Sequence, residues 1–172
     1  MPFGRPSRRL RSVLIAPLLE YSADVIYIER GARFGDGSKI RLGHRSNLGI
    51  DCRLHGPVDI GDDVMMAPGV VIYGSAHGTN VDRPMWEQSY PPERRVTIKN
   101  DVWIGTRAII LPGVTIGSHA IIGAGAIISR DVKDGECVVG SVGRVIRVRD
   151  VSPEVRALYP KSDALNSLRA DG

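Results

Sequence analysis

Four histidines, His44, His55, His77 and His119, are the side chains of this 172-residue chain best suited to moving a proton near neutrality, because an ordinary imidazole titrates at about pH 6.5. They are far apart in sequence. No second histidine stands close to His77, so the spacing offers no near pair of imidazoles for a zinc ion. Cys52 and Cys137 do not suggest a disulfide framework. They read as reduced structural residues of a cytosolic protein, neither nucleophile nor metal ligand. His77 is singled out by its setting: it stands near the start of GSAHGTNVDRPMWEQSYPPERR, residues 74–95, a polar stretch inside an otherwise regular chain. Taken alone, a loop histidine is a solvated residue. His44, His55 and His119 fall on turn or corner phases of that regular pattern and are read as surface residues.

The regularity has a period of six. Leu42, Leu48, Leu54, Ile60, Met66 and Ile72 precede the interruption; Ile98, Ile104, Ile110, Ile116, Ile122 and Ile128 follow it. A second column, two residues earlier, is mostly small or β-branched: Ser46, Cys52, Val58, Val64 and Val70, then Val96 through Val132. Glycine often follows the aliphatic residue, as at Gly43, Gly61, Gly105 and Gly117. Period six fits neither a helix nor unbroken alternation. It fits a short strand followed by a corner. Three such units close a triangular coil, and successive coils pair as parallel strands about 4.8 Å apart. The expected fold is all-β: a parallel β-helix built as a triangular prism, with an excursion loop at 74–95 and short terminal segments.

Three regions follow. Residues 1–24 are basic and then apolar, and are read as a segment that caps the first coil, since an open end exposes core and unpaired edges. Weak membrane-surface association through the same residues is the lesser reading. Residues 25–150 form the prism, starting with an irregular coil that places Ile28 and Phe34 six apart. Residues 151–172 allow a short helix from Ser152 and a mobile tail. The net charge is +4, but aromatics are only 5% and the arginines are dispersed, which argues against a nucleic-acid surface. A narrower reading sets Arg130, Arg144 and Arg147 against a phosphorylated cofactor.

The tract VTIKNDVWIGTRAIILPGVTIGSHAIIGAGAIISRDV, followed by GSVGRVIR, resembles the hexapeptide-repeat acetyltransferases. The nearest branch is that of the maltose, galactoside and polysaccharide sugar O-acetyltransferases, and the likeness covers roughly residues 25–150. The closing motif departs from the family pattern. Gly140-Ser141-Val142-Gly143-Arg144-Val145-Ile146 lacks the family's proline and alanine.

The resemblance implies a left-handed prism, acetyl-CoA as co-substrate, no metal, and a homotrimer with active sites between subunits. It implies a cytoplasmic enzyme that acetylates a sugar or glycan hydroxyl. His77 occupies the place of the family's general base: a neutral imidazole can take the proton of a hydroxyl as it attacks a thioester. Asn47 matches an acceptor-binding asparagine, although asparagine also suits a corner of positive φ. Trp86 and Tyr90 are candidates for the acceptor pocket or for pinning the loop to a neighbour. Trp103, Gly105, Thr106, Ala124, Ser129, Arg130, Arg144 and Arg147 align with the coenzyme A groove. Trp103 should point outward, because it lies between the inward residues Val102 and Ile104. Competing readings are an acetyltransferase for an antibiotic or other small hydroxyl, a γ-type carbonic anhydrase on the same prism, and a non-catalytic hexapeptide protein.

Overall fold

The computed structural model describes residues 4–80, 84–141 and 143–148, together with Pro153 and Ala157. The expected helix from Ser152 otherwise lies outside the described residues. The chain opens with α1 (Gly4–Ile15) and a 3-10 turn (Ala16–Leu18). Before the loop come β1 (Tyr21–Ser22), β2 (Ile26–Ile28), β3 (Ile40–Leu42), β4 (Ser46–Leu48), β5 (Arg53–His55), β6 (Val58–Ile60), β7 (Met65–Met66) and β8 (Val71–Tyr73). After it come β9 (Val96–Ile98), β10 (Trp103–Ile104), β11 (Ile109–Ile110), β12 (Thr115–Ile116), β13 (Ile121–Ile122), β14 (Ile127–Ile128), β15 (Glu136–Val139) and β16 (Arg144–Val148).

These strands stack into three parallel faces. Face one is β1-β3-β6-β9-β12. Face two carries β2-β4 and then β7-β10-β13-β15, and face three is β5-β8-β11-β14. The register repeats once per coil: Ile40 lies beside Val58, and Val58 beside Val96. The loop therefore adds length without shifting the pairing. Both inward columns are buried along their whole length, from Leu42 to Ile128 and from Ser46 to Val132. Ser46 is the polar member of the second column and is fully satisfied. Its hydroxyl donates to Gly61 O at 2.6 Å and accepts from Val64 N–H at 2.9 Å, which removes the cost of burying it. Phe34 packs on the core from the irregular first coil.

Corners decide which residue types the turns tolerate. Arg45, Asp63, Asp101 and His119 all take positive φ at one corner of successive coils. Their side chains pair between adjacent coils: Arg45 with Asp63, and Asp101 Oδ2 with His119 Nδ1 at 2.8 Å. His119 is thus buried and paired, not the surface residue its corner phase suggested. Gly105 has a different reason. A Cβ there would sit 2.5 Å from Ala124 N, so the close approach of two coils excludes a side chain. Cys52 is buried in the second column, and burial pushes its thiol up to about 12, far from a nucleophile at neutral pH. Cys137 belongs to β15 and is buried as well.

The two ends are closed differently. α1 stands where a preceding coil would lie. The Ile28 N–H donates to Ser12 Oγ at 3.0 Å, and Arg11 Nε donates to Ile28 O at 3.1 Å, so the outward backbone groups of Ile28 in the edge strand are satisfied. At the other end the parallel coil, expected through residue 150, stops after Val139. β16 turns back and pairs antiparallel with β15. The connection lies over the core: a Cβ on Gly143 would meet Val138 Cγ1 at 2.8 Å and Ile128 Cδ1 at 2.9 Å.

Candidate active site

The loop leaves the prism at the corner between faces three and one. Its neck is closed by Arg94 N–H donating to Gly74 O at 2.7 Å. Beside the neck, Arg95 bonds Asp59 at 2.5 Å and Glu20 at 3.0 Å, and Lys39 bonds Glu93 at 2.7 Å. Burial opposes the charge of Arg95, but its hydrogen bonds to Glu20 and Asp59 hold the guanidinium above its ordinary range. The two limbs of the loop are tied by Gln88, which accepts from Asn80 N–H at 2.9 Å and donates to Asn80 O at 2.7 Å.

Within these ties lies an open hollow of about 500 Å³, lined by His77, Gly78, Thr79, Asn80, Gln88, Ser89, Tyr90 and Pro91. His77 Nε2 lies 3.2 Å from the Tyr90 hydroxyl, and the two rings are tilted, with centroids 4.4 Å apart. With the proton on Nδ1, Tyr90 donates to Nε2. Trp86 belongs to a 3-10 turn (Met85–Glu87), is 83% exposed, and does not line this hollow. Gln88 was missed in the sequence, because a loop without periodicity gives no register for pairing its limbs.

The other expected site residues lie elsewhere. Asn47 sits in β4, not at a positive-φ corner. Its Nδ2 donates to Met66 O at 2.9 Å and its Oδ1 accepts from Met66 N–H at 2.7 Å. The amide clamps two coils together. Asn47→Ala should therefore lower the unfolding free energy by about 1–3 kcal/mol, since it leaves the buried Met66 peptide groups unpaired. A urea titration of wild type and variant measures it.

Trp103 points outward from face two, 49% exposed, in a row with Met65 and Ile121. Thr106 and Ala124 are exposed at the corner between faces two and three, and Gly105 is buried beneath them. Ser129 and Arg130 belong to a separate hollow of about 270 Å³ at the C-terminal end, lined also by Ile127, Val132, Lys133, Val138, Gly143 and Val145. Arg130 reaches Gly143 O at 3.5 Å. Arg144 and Arg147 lie in β16, and Arg144 is exposed. The expected base and the expected Trp103–Thr106–Ala124 contacts thus occupy different corners of one prism. A face of several extended residues separates them, on the order of 15 Å. Among the described residues, no three of His, Cys, Asp and Glu gather closely enough to hold a metal ion.

Residues 95–130 match the family described as bacterial transferase hexapeptide (six repeats), and residues 39–73 match the hexapeptide repeat of succinyl-transferase. A galactoside O-acetyltransferase of Escherichia coli (strain K12) is 34% identical over 141 residues, covering 80% of this chain and 68% of that one. The crystal structure of a maltose O-acetyltransferase from Clostridium difficile 630 superposes with a TM-score of 0.77 at 30% identity, over 86% of this chain and 79% of that one. A galactoside acetyltransferase in complex with coenzyme A superposes with a TM-score of 0.66 at 28% identity, over 87% and 85% of the two chains. The period of the core columns, the stacked faces and these likenesses converge: the chain belongs to the hexapeptide-repeat acetyltransferases, in their galactoside and maltose O-acetyltransferase branch.

Proposed function

We propose that the protein transfers the acetyl group of acetyl-CoA to a hydroxyl of a sugar or glycan, with His77 as general base. The observation that carries the reading is the loop hollow, which exposes the His77 imidazole at a polar concave surface. In the tautomer with the proton on Nδ1, the one imidazole lone pair is on Nε2, where the Tyr90 hydroxyl donates, and an acceptor hydroxyl reaches it by displacing that phenol. An acceptor hydroxyl placed near that nitrogen gives up its proton as its oxygen attacks the thioester carbonyl. The carbonyl becomes tetrahedral, the C–S bond breaks, and coenzyme A leaves as thiolate, which a proton then neutralises. No covalent bond to the protein is needed.

The same reading makes the active unit a homotrimer. His77 and the Trp103–Thr106–Ala124 corner stand on different corners of one chain, an arrangement that a site shared between copies, as in the trimer the resemblance implies, brings together. Faces two and three carry largely apolar outward rows, Met65–Trp103–Ile121 and Val71–Ile109–Ile127, the latter beginning at Arg53. Face one shows Arg41, Asp59, Thr97 and Thr115 in the same row. The apolar rows are the ones that contact between copies would remove from water. Arg130, Arg144 and Arg147 are assigned to the phosphates of the co-substrate. The reaction is assigned to the cytoplasm, the compartment that the resemblance implies.

The test follows free thiol released from acetyl-CoA against a panel of mono- and oligosaccharides, glycans and an antibiotic hydroxyl. Release that depends on a sugar supports the proposal. Release with the antibiotic alone moves the acceptor to another class, and no release with any acceptor, together with no binding of coenzyme A, removes the enzymatic reading.

A further inference from the structure

We propose that the outer face of α1 docks on a membrane surface of anionic lipid. Leu10, Val13 and Leu14 are 61%, 70% and 64% exposed, and Leu18 in the adjoining turn is 57% exposed. Spacings of three and four place them on one stripe. The opposite side of the helix is already committed to the prism. Ser12 and Arg11 hold the Ile28 backbone, and Arg8 bonds Glu29 while covering the Tyr27 ring. Ile15 and Ala16 supply the apolar contact to the core. The helix cannot roll its leucines inward without breaking these bonds. A segment whose only task is to cap a coil carries a polar outer side; this one carries leucine and valine.

Charge chooses the occupant. Arg8 and Arg11 are committed to the prism, but Arg9 is exposed beside Leu10, and the segment Gly4–Ile15 contains no acidic residue to oppose it. Arginine beside exposed leucine on a helix complements an anionic headgroup layer over acyl chains. At 12 residues the helix is too short to span a bilayer, for which about 20 are needed. It would lie in the plane of the surface with its leucines inserted.

Co-sedimentation of the full chain with vesicles tests this. One set is phosphatidylcholine, the other phosphatidylcholine with phosphatidylglycerol. The expected result is binding to the anionic vesicles that weakens as salt rises. The Leu10→Ser/Leu14→Ser variant should lose about tenfold or more in partition. Arg9→Gln should lose severalfold on anionic vesicles and little on neutral ones. All three positions are exposed, so thermal unfolding of the variants should match wild type. Equal binding by wild type and the leucine variant overturns the proposal, as does equal wild-type binding to both vesicle types. A change of oligomeric state in the leucine variant without vesicles also overturns it, and assigns the face to a second copy.

Discussion

His77→Ala should lower kcat for acetyl transfer by about 10²–10⁴-fold, the usual worth of a positioned general base, with the thermal unfolding midpoint unchanged. The side chain is exposed and its described partner is one phenol, Tyr90, so nothing in the core depends on it. KM for acetyl-CoA should also stay near its wild-type value, because Trp103, Thr106 and Ala124, the residues proposed to hold it, lie at another part of the prism. Tyr90→Phe removes the hydroxyl near Nε2 and should cost roughly tenfold or less, through the orientation of the imidazole. Steady-state kinetics on all three proteins check the set. A His77→Ala variant with wild-type kcat places the base elsewhere.

The second large effect is structural. Ile104 is fully buried, between Met66 on one side and Ile122 on the other. Ile104→Ala should destabilise the protein by about 2–5 kcal/mol, through lost burial and the cavity left between coils. Thr115, which points outward on face one, should tolerate alanine within about 0.5 kcal/mol. Each coil contacts only its neighbours, so the loss at Ile104 should lower protection from hydrogen exchange most in the coils on either side. Denaturant titration and exchange measurements read the two effects.

The prism was legible because one physical rule governs every coil. An inward position repeated every six residues must be apolar, and Leu42 through Ile128 obey it. Eighteen residues make one coil, so side chains that far apart can meet at a corner. Arg45–Asp63 and Asp101–His119 have that separation, and the burial of His119 was available from the spacing. The reversal into β16 was not. Val145, Ile146 and Val148 carry no six-residue mark, and antiparallel closure depends on how the preceding turn covers Ile128 and Val138. Asn47 shows a different limit: its type suits a corner or a ligand, and only the position of the Met66 backbone shows what its amide grips. The loop was recognisable as an interruption, and His77 by its place in it. Which residues share its hollow depends on Gln88 tying Asn80, a contact no periodicity announces.

The central claim is that the imidazole of one copy serves a thioester held by another, and mixed oligomers test it most directly. His77→Ala lacks the base. Ala124→Glu places a carboxylate at the exposed corner expected to hold the co-substrate. Each alone should be nearly inactive. Co-expressed in equal amounts and randomly assembled, they should recover about one quarter of wild-type activity, because one site in four joins an intact His77 to an intact corner from a different copy. Mixed oligomers as inactive as their parents would place both halves of the site in one chain and contradict the account.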